Sequence, residues 1–409
     1  MLDRQVLKHL EALRGRMTLP LRIRLWNGHE VDLGPDPDVT LILKDPVAAR
    51  HLARPSMAAL GAGYVEGHLD VDGPIRSVVR VAESLARDQD RQGGLGALPN
   101  WLTRHTRGSD RQAIEYHYDV SNAFYGAWLD PNMVYSCAYY ENGDEDLATA
   151  QIAKIDHICR KLRLEPGQRL LDIGCGWGAL VIHAARHYGV QATGITLSTN
   201  QHALATERVA AAGLQDRVEI RLQDYRDVPE AEGFDRISSV GMFEHVGLKN
   251  LPAYFKQVAR LLKPGGVALN HGITSTDHDS RSVGLGAGEF IDRYVFPDGE
   301  LPHVSLAIRE LSAAGLELTD AESLRRHYEK TLWAWSDAFE QRLAQMEALA
   351  GTRRARIWRV YLAGCAHAFA HGWINLYQLL AVKPVAASTG ALSPLPLSRR
   401  YMYEGGPVR

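Results

Sequence analysis

Glycines that follow a predicted strand form the clearest chemical pattern in this sequence. Residues 170–178 read as a buried strand carrying Asp172, which runs into a turn containing Gly174, Gly176 and Gly178. Glycine lets a backbone turn tightly and approach a ligand closely. The spacing is G-x-G-x-G, whereas a dinucleotide-binding turn reads G-x-G-x-x-G. The pattern predicts a cofactor site, and a plain nucleotide-binding sheet is the alternative.

The elements around this turn alternate between apolar strands and amphipathic helices. Such alternation is typical of an α/β fold in which helices cover both faces of a parallel sheet. Ligands in these sheets lie beyond the carboxyl ends of the strands, so the residue after each strand is a candidate for chemistry. The predicted strands are residues 169–173, 191–195, 218–222, 235–240 and 267–270, and the predicted helices include 179–187 and 201–212.

Composition and charge exclude several other classes of protein. The chain has 409 residues, of which 45% are hydrophobic and 23% charged, as in folded domains rather than disordered ones. The 46 basic and 48 acidic side chains give a net charge of −2, which predicts no bulk attraction to nucleic acid. Four cysteines in a chain of this length do not form a disulfide framework, which favours a reducing cytosol.

Hydropathy predicts a soluble protein that meets a membrane only from outside. A spanning helix needs about 20 consecutive apolar residues. The longest apolar run here, residues 373–382, is shorter and stops at Lys383 and Pro384. The first residues also lack the apolar core of a signal peptide.

Changes in composition divide the chain into four predicted segments. Residues 1–87 read as a small α+β domain, and residues 88–111 as a polar, glycine-rich linker that ends in a basic stretch. Residues 112–384 hold the alternating pattern. Residues 385–409 contain prolines and glycines and are predicted to be a loose tail.

An amphipathic helix opens the first domain. It either packs as the first element of that domain or rests with its basic face on lipid headgroups. Short strands are predicted after it at residues 21–26 and 39–43. The apolar residues at helical spacing are Leu2, Val6, Leu7, Leu10 and Leu13.

The strand ends of the alternating region resemble those of class I S-adenosylmethionine methyltransferases. Asp172 with the glycine turn resembles the first motif of that class. By the same resemblance, Asp224 falls where the class reads the adenine amino group, and Tyr225 beside it can stack on the ring. The second strand ends without an acid for the ribose hydroxyls, so Thr196 and Gln201 would bind the cofactor through neutral hydrogen bonds.

Three further segments resemble the cyclopropane fatty acid synthase family. They are residues 117–122 running to 135–139, then 240–247, then 271–274. The resemblance covers roughly residues 112–380 and implies a Rossmann-like class I methyltransferase sheet with helical insertions. It also implies a cytoplasmic enzyme, peripherally associated with the inner face of the membrane and homodimeric, which forms cyclopropane rings on unsaturated acyl chains of phospholipids.

The resemblance assigns residues to two sites. Cofactor contacts fall on Tyr135, Ser136, Gly174, Gly176, Thr196, Gln201 and Tyr225. The resemblance also implies a bicarbonate ion bound by Cys137, Glu244, His271, Ile273 and Tyr328.

The residue types suit the implied reaction. A cis double bond is a weak nucleophile, and the sulfonium methyl of S-adenosylmethionine supplies the electrophile. Methyl transfer leaves a carbocation, so the pocket must exclude water, and a base must remove a proton from the new methyl for the ring to close. An ionised Glu244 can only accept a hydrogen bond, whereas His271, Tyr328 and backbone N–H groups near Cys137 and Ile273 can donate.

Each of these residues also has a structural interpretation. Cys137 can be a small buried thiol. Glu244 can cap the helix after its strand. His271 can be a hydrogen-bonded core histidine, and Tyr328 a helical core aromatic. Cys365 matches another cysteine of the family, and its helical pattern favours core packing.

No metal site is predicted. Two histidine pairs stand four residues apart on helical patterns, at His183 and His187 and at His367 and His371. Such a pair can bind zinc, but neither pair encloses a carboxylate or lies near clustered cysteines in the sequence.

Two other functions remain open. The usual family segment His-Thr-Ile reads His271-Gly272-Ile273 here, so a related product with a methyl or methylene branch is an alternative. A catalytically inactive lipid-binding homologue is the alternative from another class. Basic and apolar surface near residues 14–17 or 353–359 is the predicted place for docking on phospholipid.

Overall fold

A computed structural model describes residues 2–91, 121–281, 283–296, 299–385 and 395–404. The chain divides into two units. The first is formed from Met1–Leu102, Val283–Pro297 and Trp335–His371, and the second from Thr103–Ser282, Asp298–Ala334 and Gly372–Arg409. The sequence did not predict that two later segments join the first unit.

The first unit contains a four-stranded sheet in the order β2-β1-β3-β4. Its strands are β1 (Leu21–Arg24), β2 (Glu30–Asp32), β3 (Val39–Leu43) and β4 (Leu69–Asp72). Strands β1 and β3 are parallel, and the other two pairs are antiparallel. Alternate residues of β3 are buried, as expected for a strand with one face on a core. Both strands predicted in this region are confirmed.

Eight helices of the first unit are described. They are α1 (Leu2–Arg16), α2 (Ala49–Ala53), α3 (Met57–Val65), α4 (Ile75–Arg91), α10 (Ala287–Tyr294), the end of α12 (Arg325–Glu340), α13 (Leu343–Ala350) and α14 (Thr352–Ala370). Helix α1 buries Val6, Leu10 and Leu13 in the core of the unit and exposes Arg4 and Lys8. Its apolar face is therefore covered by protein, which favours the packed alternative for this helix.

The second unit is built on a seven-stranded sheet in the order β10-β11-β9-β8-β5-β6-β7. Five of its strands, β9-β8-β5-β6-β7, run parallel to their neighbours, as predicted. Their bounds are β5 (Arg169–Ile173), β6 (Gln191–Thr196), β7 (Val218–Leu222), β8 (Phe234–Val240) and β9 (Leu262–Ser275).

Two strands of this sheet were missed in the sequence. They are β10 (Glu317–Ser323) and β11 (Ile374–Val382). Strand β11 pairs antiparallel with both β9 and β10. Its sequence is mostly apolar, and residues 378–382 are all buried because the strand lies between two others.

Helices cover both faces of the large sheet. Two apolar clusters result, one containing Leu170 and Val267 and the other Leu171 and Ile237. The helices are α5 (Asn122–Gly126), α6 (Leu147–Lys161), α7 (Ala179–Tyr188), α8 (Thr199–Ala211), α9 (Leu251–Leu261), α11 (Val304–Ala313), the start of α12, and α15 (Arg400–Tyr403).

The structure changes two of the predicted segments, the C-terminal tail and the linker. The loose tail is wrong for residues 400–403, because they form α15 and Met402 is buried in a core cluster. The predicted linker begins too early, since α4 continues to Arg91, and residues 92–111 lie outside the described part of the chain. Among the described helices, none combines the length and apolar content needed to span a bilayer.

Candidate active site

The glycine turn after β5 has a backbone that only glycine adopts easily. Gly174, Gly176 and Gly178 have φ angles of +81°, +54° and +84°. L-residues rarely occupy this region, because their Cβ meets the backbone there. The N–H groups of Gly174 and Cys175 donate to the carbonyl of Ile195 at 3.0 and 2.9 Å, which ties the turn to β6.

A cavity opens beside this turn within the second unit. Its empty volume is about 1180 Å³ including the open mouth. All nine residues predicted to contact the cofactor line it, namely Tyr135, Ser136, Asp172, Gly174, Gly176, Thr196, Gln201, Asp224 and Tyr225. The structure therefore brings together residues from the turn and from the ends of three further segments.

Buried charges line one wall of the cavity. Asp172 accepts a hydrogen bond of 2.7 Å from Ser238 Oγ, and its burial raises the pKa of the carboxyl to about 6. Lys154 is fully buried on α6 and donates to Ser136 Oγ at 2.8 Å. Burial lowers the pKa of Lys154 to about 8. We missed Lys154, although a lysine on the apolar stripe of a predicted helix is a signal that could have found it.

The end of β6 has the neutral character that the sequence predicts. Thr196 Oγ1 donates to Gln201 Oε1 at 2.8 Å. Gln201 lies in the first turn of α8, where Ser198 caps the helix by accepting from the Gln201 N–H at 3.3 Å. This cap fixes the Gln201 side chain next to Thr196.

Asp224 is already paired in this structure. Its Oδ1 accepts from Arg226 Nε at 2.9 Å, and its Oδ2 accepts from Arg226 Nη2 at 2.6 Å. The predicted contact of Asp224 with an adenine amino group must therefore share the carboxylate with Arg226. Tyr225 packs edge-on against Tyr254, with ring centroids 5.5 Å apart.

Glu244 lies just beyond the end of β8, in a short 3-10 turn at Phe243–His245. Strand β9 continues past β8, whose last paired residue is Val240. The N–H of Ile273 on this extension donates to Glu244 Oε1 at 2.7 Å. The Ile273 N–H thus donates to Glu244 in this structure, and the role of Ile273 beside a bound anion stays a prediction.

The other carboxylate oxygen of Glu244 is buried and has no hydrogen-bond partner among the described residues. The residue as a whole is half-buried, but its carboxyl group is covered, which raises the pKa of Glu244 to about 7. A buried carboxylate oxygen that accepts no hydrogen bond is rare in folded proteins unless a ligand or water donates to it.

His271 is fully buried on β9, and its Nε2 also has no hydrogen-bond partner within the described part of the chain. Burial, with smaller effects from Lys154 and Lys161, holds the pKa of His271 well below its ordinary value. The imidazole is therefore neutral, with one donor and one acceptor nitrogen.

Cys137 and Tyr328 both contact the backbone carbonyl of Leu324. Cys137 Sγ lies 3.8 Å from the Leu324 carbonyl, which also accepts from the Tyr328 N–H at 3.0 Å. The N–H of Leu324 in turn donates to Leu376, the β11 residue paired with Ile273. Four of the five residues predicted to hold an anion, Cys137, Glu244, Ile273 and Tyr328, are thus linked by a short chain of contacts.

The Cys137 thiol itself has no nucleophilic character. It is fully buried and donates to the Ala138 carbonyl at 3.2 Å. Burial raises the pKa of the thiol far above its ordinary value. Cys365 is likewise a protonated thiol on α14, because burial raises its pKa to about 12.

Gly272 makes room for the ring that precedes Glu244. A Cβ built at Gly272 would lie 2.7 Å from Phe243 Cδ1. We expect Gly272→Ala to lower the free energy of unfolding by about 1–3 kcal/mol, because the ring must move in a packed core. Urea unfolding checks this, with Gly364→Ala as the control, since a Cβ there meets open space. Equal stability of Gly272→Ala and wild type would contradict the close packing.

One of the two histidine pairs lies close to a carboxylate on another helix. Glu83 of α4 lies with His367 and His371, and their ligand-type atoms are all within 4.8 Å of one another. His367 Nε2 and Glu83 Oε2 are 2.7 Å apart, and Arg87 donates to the other Glu83 oxygen at 2.6 Å. These contacts account for the cluster as a hydrogen bond between α4 and α14, with Glu83 also ion-paired to Arg87 on its own helix.

The basic residues at 353–359 are paired within the first unit. Arg353 lies 3.0 Å from Glu66, Arg356 lies 3.2 Å from Asp70, and Arg359 lies 2.6 Å from Glu340. These three arginines are thus paired with carboxylates, which lowers the net positive charge of the segment, and docking of this segment on lipid stays a prediction.

Known proteins and families are similar to this chain in two regions, one near its N-terminus and a longer one that contains the large sheet. Residues 105–379 match the family described as mycolic acid cyclopropane synthetase, and residues 9–90 match a domain of unknown function. A Pseudomonas putida protein named probable fatty acid methyltransferase is 51% identical over 389 residues, covering 94% of this chain and 96% of the relative. Cyclopropane-fatty-acyl-phospholipid synthase of Escherichia coli strain K12 is 43% identical over 264 residues, covering 64% of this chain and 66% of the relative.

A solved structure supports the same assignment. The crystal structure of mycolic acid cyclopropane synthase CmaA1, complexed with SAH and CTAB, is 37% identical with a TM-score of 0.64. The match covers 69% of this chain and 100% of that one. The predicted class I methyltransferase fold is confirmed, and S-adenosylmethionine is its methyl donor. The chain belongs to the mycolic acid cyclopropane synthetase family of S-adenosylmethionine-dependent methyltransferases.

Proposed function

We propose that this protein adds a methylene group from S-adenosylmethionine across a cis double bond of a phospholipid-bound acyl chain, with bicarbonate as the base. One observation carries the proposal. A buried carboxylate oxygen of Glu244 and a buried ring nitrogen of His271 lack partners among the described residues. Residues on both sides of Glu244, including Met242 and His245, line the cofactor cavity.

Bicarbonate fits the chemistry of these atoms. It has one O–H to donate and several oxygens that accept. An ionised Glu244 accepts the O–H through Oε2, and a neutral His271 donates to an oxygen when its proton is on Nε2. Ile273 contributes by fixing Glu244 through the 2.7 Å hydrogen bond. By family resemblance, the Cys137 backbone and the Tyr328 hydroxyl complete the donors.

The protein's part in the reaction is to bind, orient and keep out water. S-adenosylmethionine, when bound, supplies an electrophilic methyl. The methyl carbon bonds to one alkene carbon and leaves the sulfur, which places a positive charge on the acyl chain. Loss of a proton from the added methyl to the base then closes the ring, so that the net change is addition of CH₂ and release of H⁺. The buried ring of Phe243, next to Glu244, helps to keep this region dry.

Product analysis tests the proposal. Purified protein is incubated with unsaturated phospholipid vesicles and S-adenosylmethionine, and the fatty acids are examined by mass spectrometry and proton NMR. We expect a gain of one methylene per chain with cyclopropane ring protons, and lower turnover when bicarbonate is removed from the buffer. Absence of any mass gain, with SAH giving no thermal shift, would instead support an inactive homologue.

A branched product is the second candidate. The Pseudomonas putida relative and a Mycobacterium tuberculosis relative, 38% identical over 395 residues, are both named probable fatty acid methyltransferase. A methylene branch has the same mass as a cyclopropane ring, so NMR signals of an exocyclic alkene distinguish it. A saturated methyl branch also requires a hydride donor and is two hydrogens heavier.

The proposal includes a location and an assembly. The enzyme works at the phospholipid surface on the cytoplasmic side of the membrane, as a homodimer, and the family resemblance supports both statements. The exposed basic residues of α1, such as Arg4 and Lys8, are the cations that we assign to docking. Equal flotation with anionic and neutral vesicles would exclude basic docking.

A further inference from the structure

Gln378 lies directly opposite His271 in the sheet. The two residues are paired in the antiparallel register of β11 and β9, so their side chains point to the same face. Both are fully buried. Gln378 Nε2 lies 3.2 Å from His271 Nδ1. Among the described residues, the Gln378 amide is therefore the hydrogen-bond partner of the ring.

This contact couples the orientation of the Gln378 amide to the ring nitrogen that carries the proton. A neutral histidine has one N–H and one lone pair, and the partner of one nitrogen sets the state of the other. An amide N–H that donates to Nδ1 requires a lone pair there and leaves the N–H on Nε2. That Nε2 is the buried atom without a partner among the described residues.

Gln378 Oε1 has no hydrogen-bond partner among the described residues, and the opposite amide orientation would give it one but would suit a bound anion poorly. It would place the amide oxygen at Nδ1, move the proton to Nδ1 and leave a lone pair on Nε2. A lone pair on Nε2 would then face any bound anion, and two acceptors without a proton between them repel each other. The observed orientation instead gives a donor at Nε2 and an acceptor at Glu244 Oε2.

We propose that Gln378 is a positioning residue that holds neutral His271 in its Nε2–H form, so that this N–H donates to a small oxyanion beside the cofactor cavity. The proposal rests on the proposed function for the identity of the anion. The protonation of the ring is a property of the protein alone and can be measured without turnover.

Nitrogen NMR of protein labelled with ¹⁵N-histidine tests the proposal. His271→Asn identifies the His271 signals by their loss. We expect wild-type His271 to show a protonated Nε2 and an unprotonated Nδ1. Gln378→Met removes the donor while nearly keeping the volume, and we expect its spectrum to lose this single form. Its kcat should fall about 10- to 100-fold, the usual effect of a residue that orients a ligand-binding histidine.

The control is Tyr377→Phe, because Tyr377 is adjacent on β11 and its hydroxyl contacts Asn375 at 3.2 Å. We expect its His271 spectrum and kcat to match wild type. Should Gln378→Met fold poorly, Gln378→Asn keeps the amide but shortens its reach, and the same spectral change is expected.

A protonated Nδ1 in wild-type His271, or an unchanged His271 spectrum in Gln378→Met, would overturn the proposal. Failure of the proposed function would appear elsewhere, as wild-type protein that forms no methylene adduct. Unchanged SAH affinity in Gln378→Met would separate positioning of His271 from a general loss of structure.

Discussion

Replacing Glu244 with glutamine is expected to reduce kcat by about 100- to 10,000-fold, the usual range for a group that handles a proton in the transition state. The glutamine carbonyl can still accept from the Ile273 N–H, so the local backbone contact is kept. The second carboxylate oxygen becomes an NH₂ group, which can no longer accept the O–H of an anion. SAH affinity should stay near wild type, because Glu244 itself does not line the cofactor cavity.

The same substitution should stabilise the protein above neutral pH. Burial raises the pKa of Glu244 from 4.5 to about 7. Between these pH values the folded carboxyl keeps a proton that the unfolded chain has released, so stability falls as pH rises through this window. The total loss is roughly 3 kcal/mol, and a glutamine does not incur it.

Urea unfolding at pH 5 and pH 8, in buffer without bicarbonate, measures this effect beside the turnover assay. We expect Glu244→Gln to gain stability over wild type at pH 8 relative to pH 5. Glu230→Gln is the control, since Glu230 is exposed and pairs with exposed Arg260 at 3.3 Å. Normal turnover in Glu244→Gln would remove Glu244 from the anion site.

Valine at Gly174 is expected to weaken cofactor binding strongly. The position has a φ of +81°, which costs a β-branched residue about 1–3 kcal/mol. A Cβ there would also lie 3.0 Å from Met242 Cβ. Displacement of the turn that lines the cavity should weaken SAH binding by about 100-fold, equivalent to about 3 kcal/mol.

Calorimetric titration with SAH measures this effect. Gly126→Ala is the matched control in the same unit, because a Cβ there meets nothing within 4 Å and its φ is not in the left-handed region. We expect the control to bind SAH like wild type. If Gly174→Val folds and binds SAH normally, the turn is not part of the cofactor site.

Much of the large sheet could be predicted because its signals are local. Strands β5 and β7 have the predicted bounds, since β5 is a short apolar run and β7 alternates apolar and polar residues, each flanked by turn residues. The edge formed by β10 and β11 was missed because its sequence signal is ambiguous. Residues 374–382 are mostly apolar, with Asn375 and Gln378 as the exceptions, and such a run does not distinguish a strand from a buried helix.

The candidate site also has a part that the sequence predicts and a part that it does not. The residues assigned to the cofactor follow from motifs within a few positions of each other, and the cavity is lined by all of them. The roles of Glu244, His271 and their neighbours remain predictions. The sequence could not show that the Ile273 N–H donates to Glu244, which follows because β9 extends beyond the end of β8 and the backbone N–H needs an acceptor there.

By itself, the sequence determined the alternating fold, the tight glycine turn and the family, because each depends on residues close together in the chain. Tertiary structure alone decided that Gln378 meets His271 across 107 residues, that Lys154 reaches Ser136, and that Glu83 joins His367. Such contacts depend on which strands and helices become neighbours. Strand pairing and helix packing bring distant residues together, and no spacing within either segment records the partner.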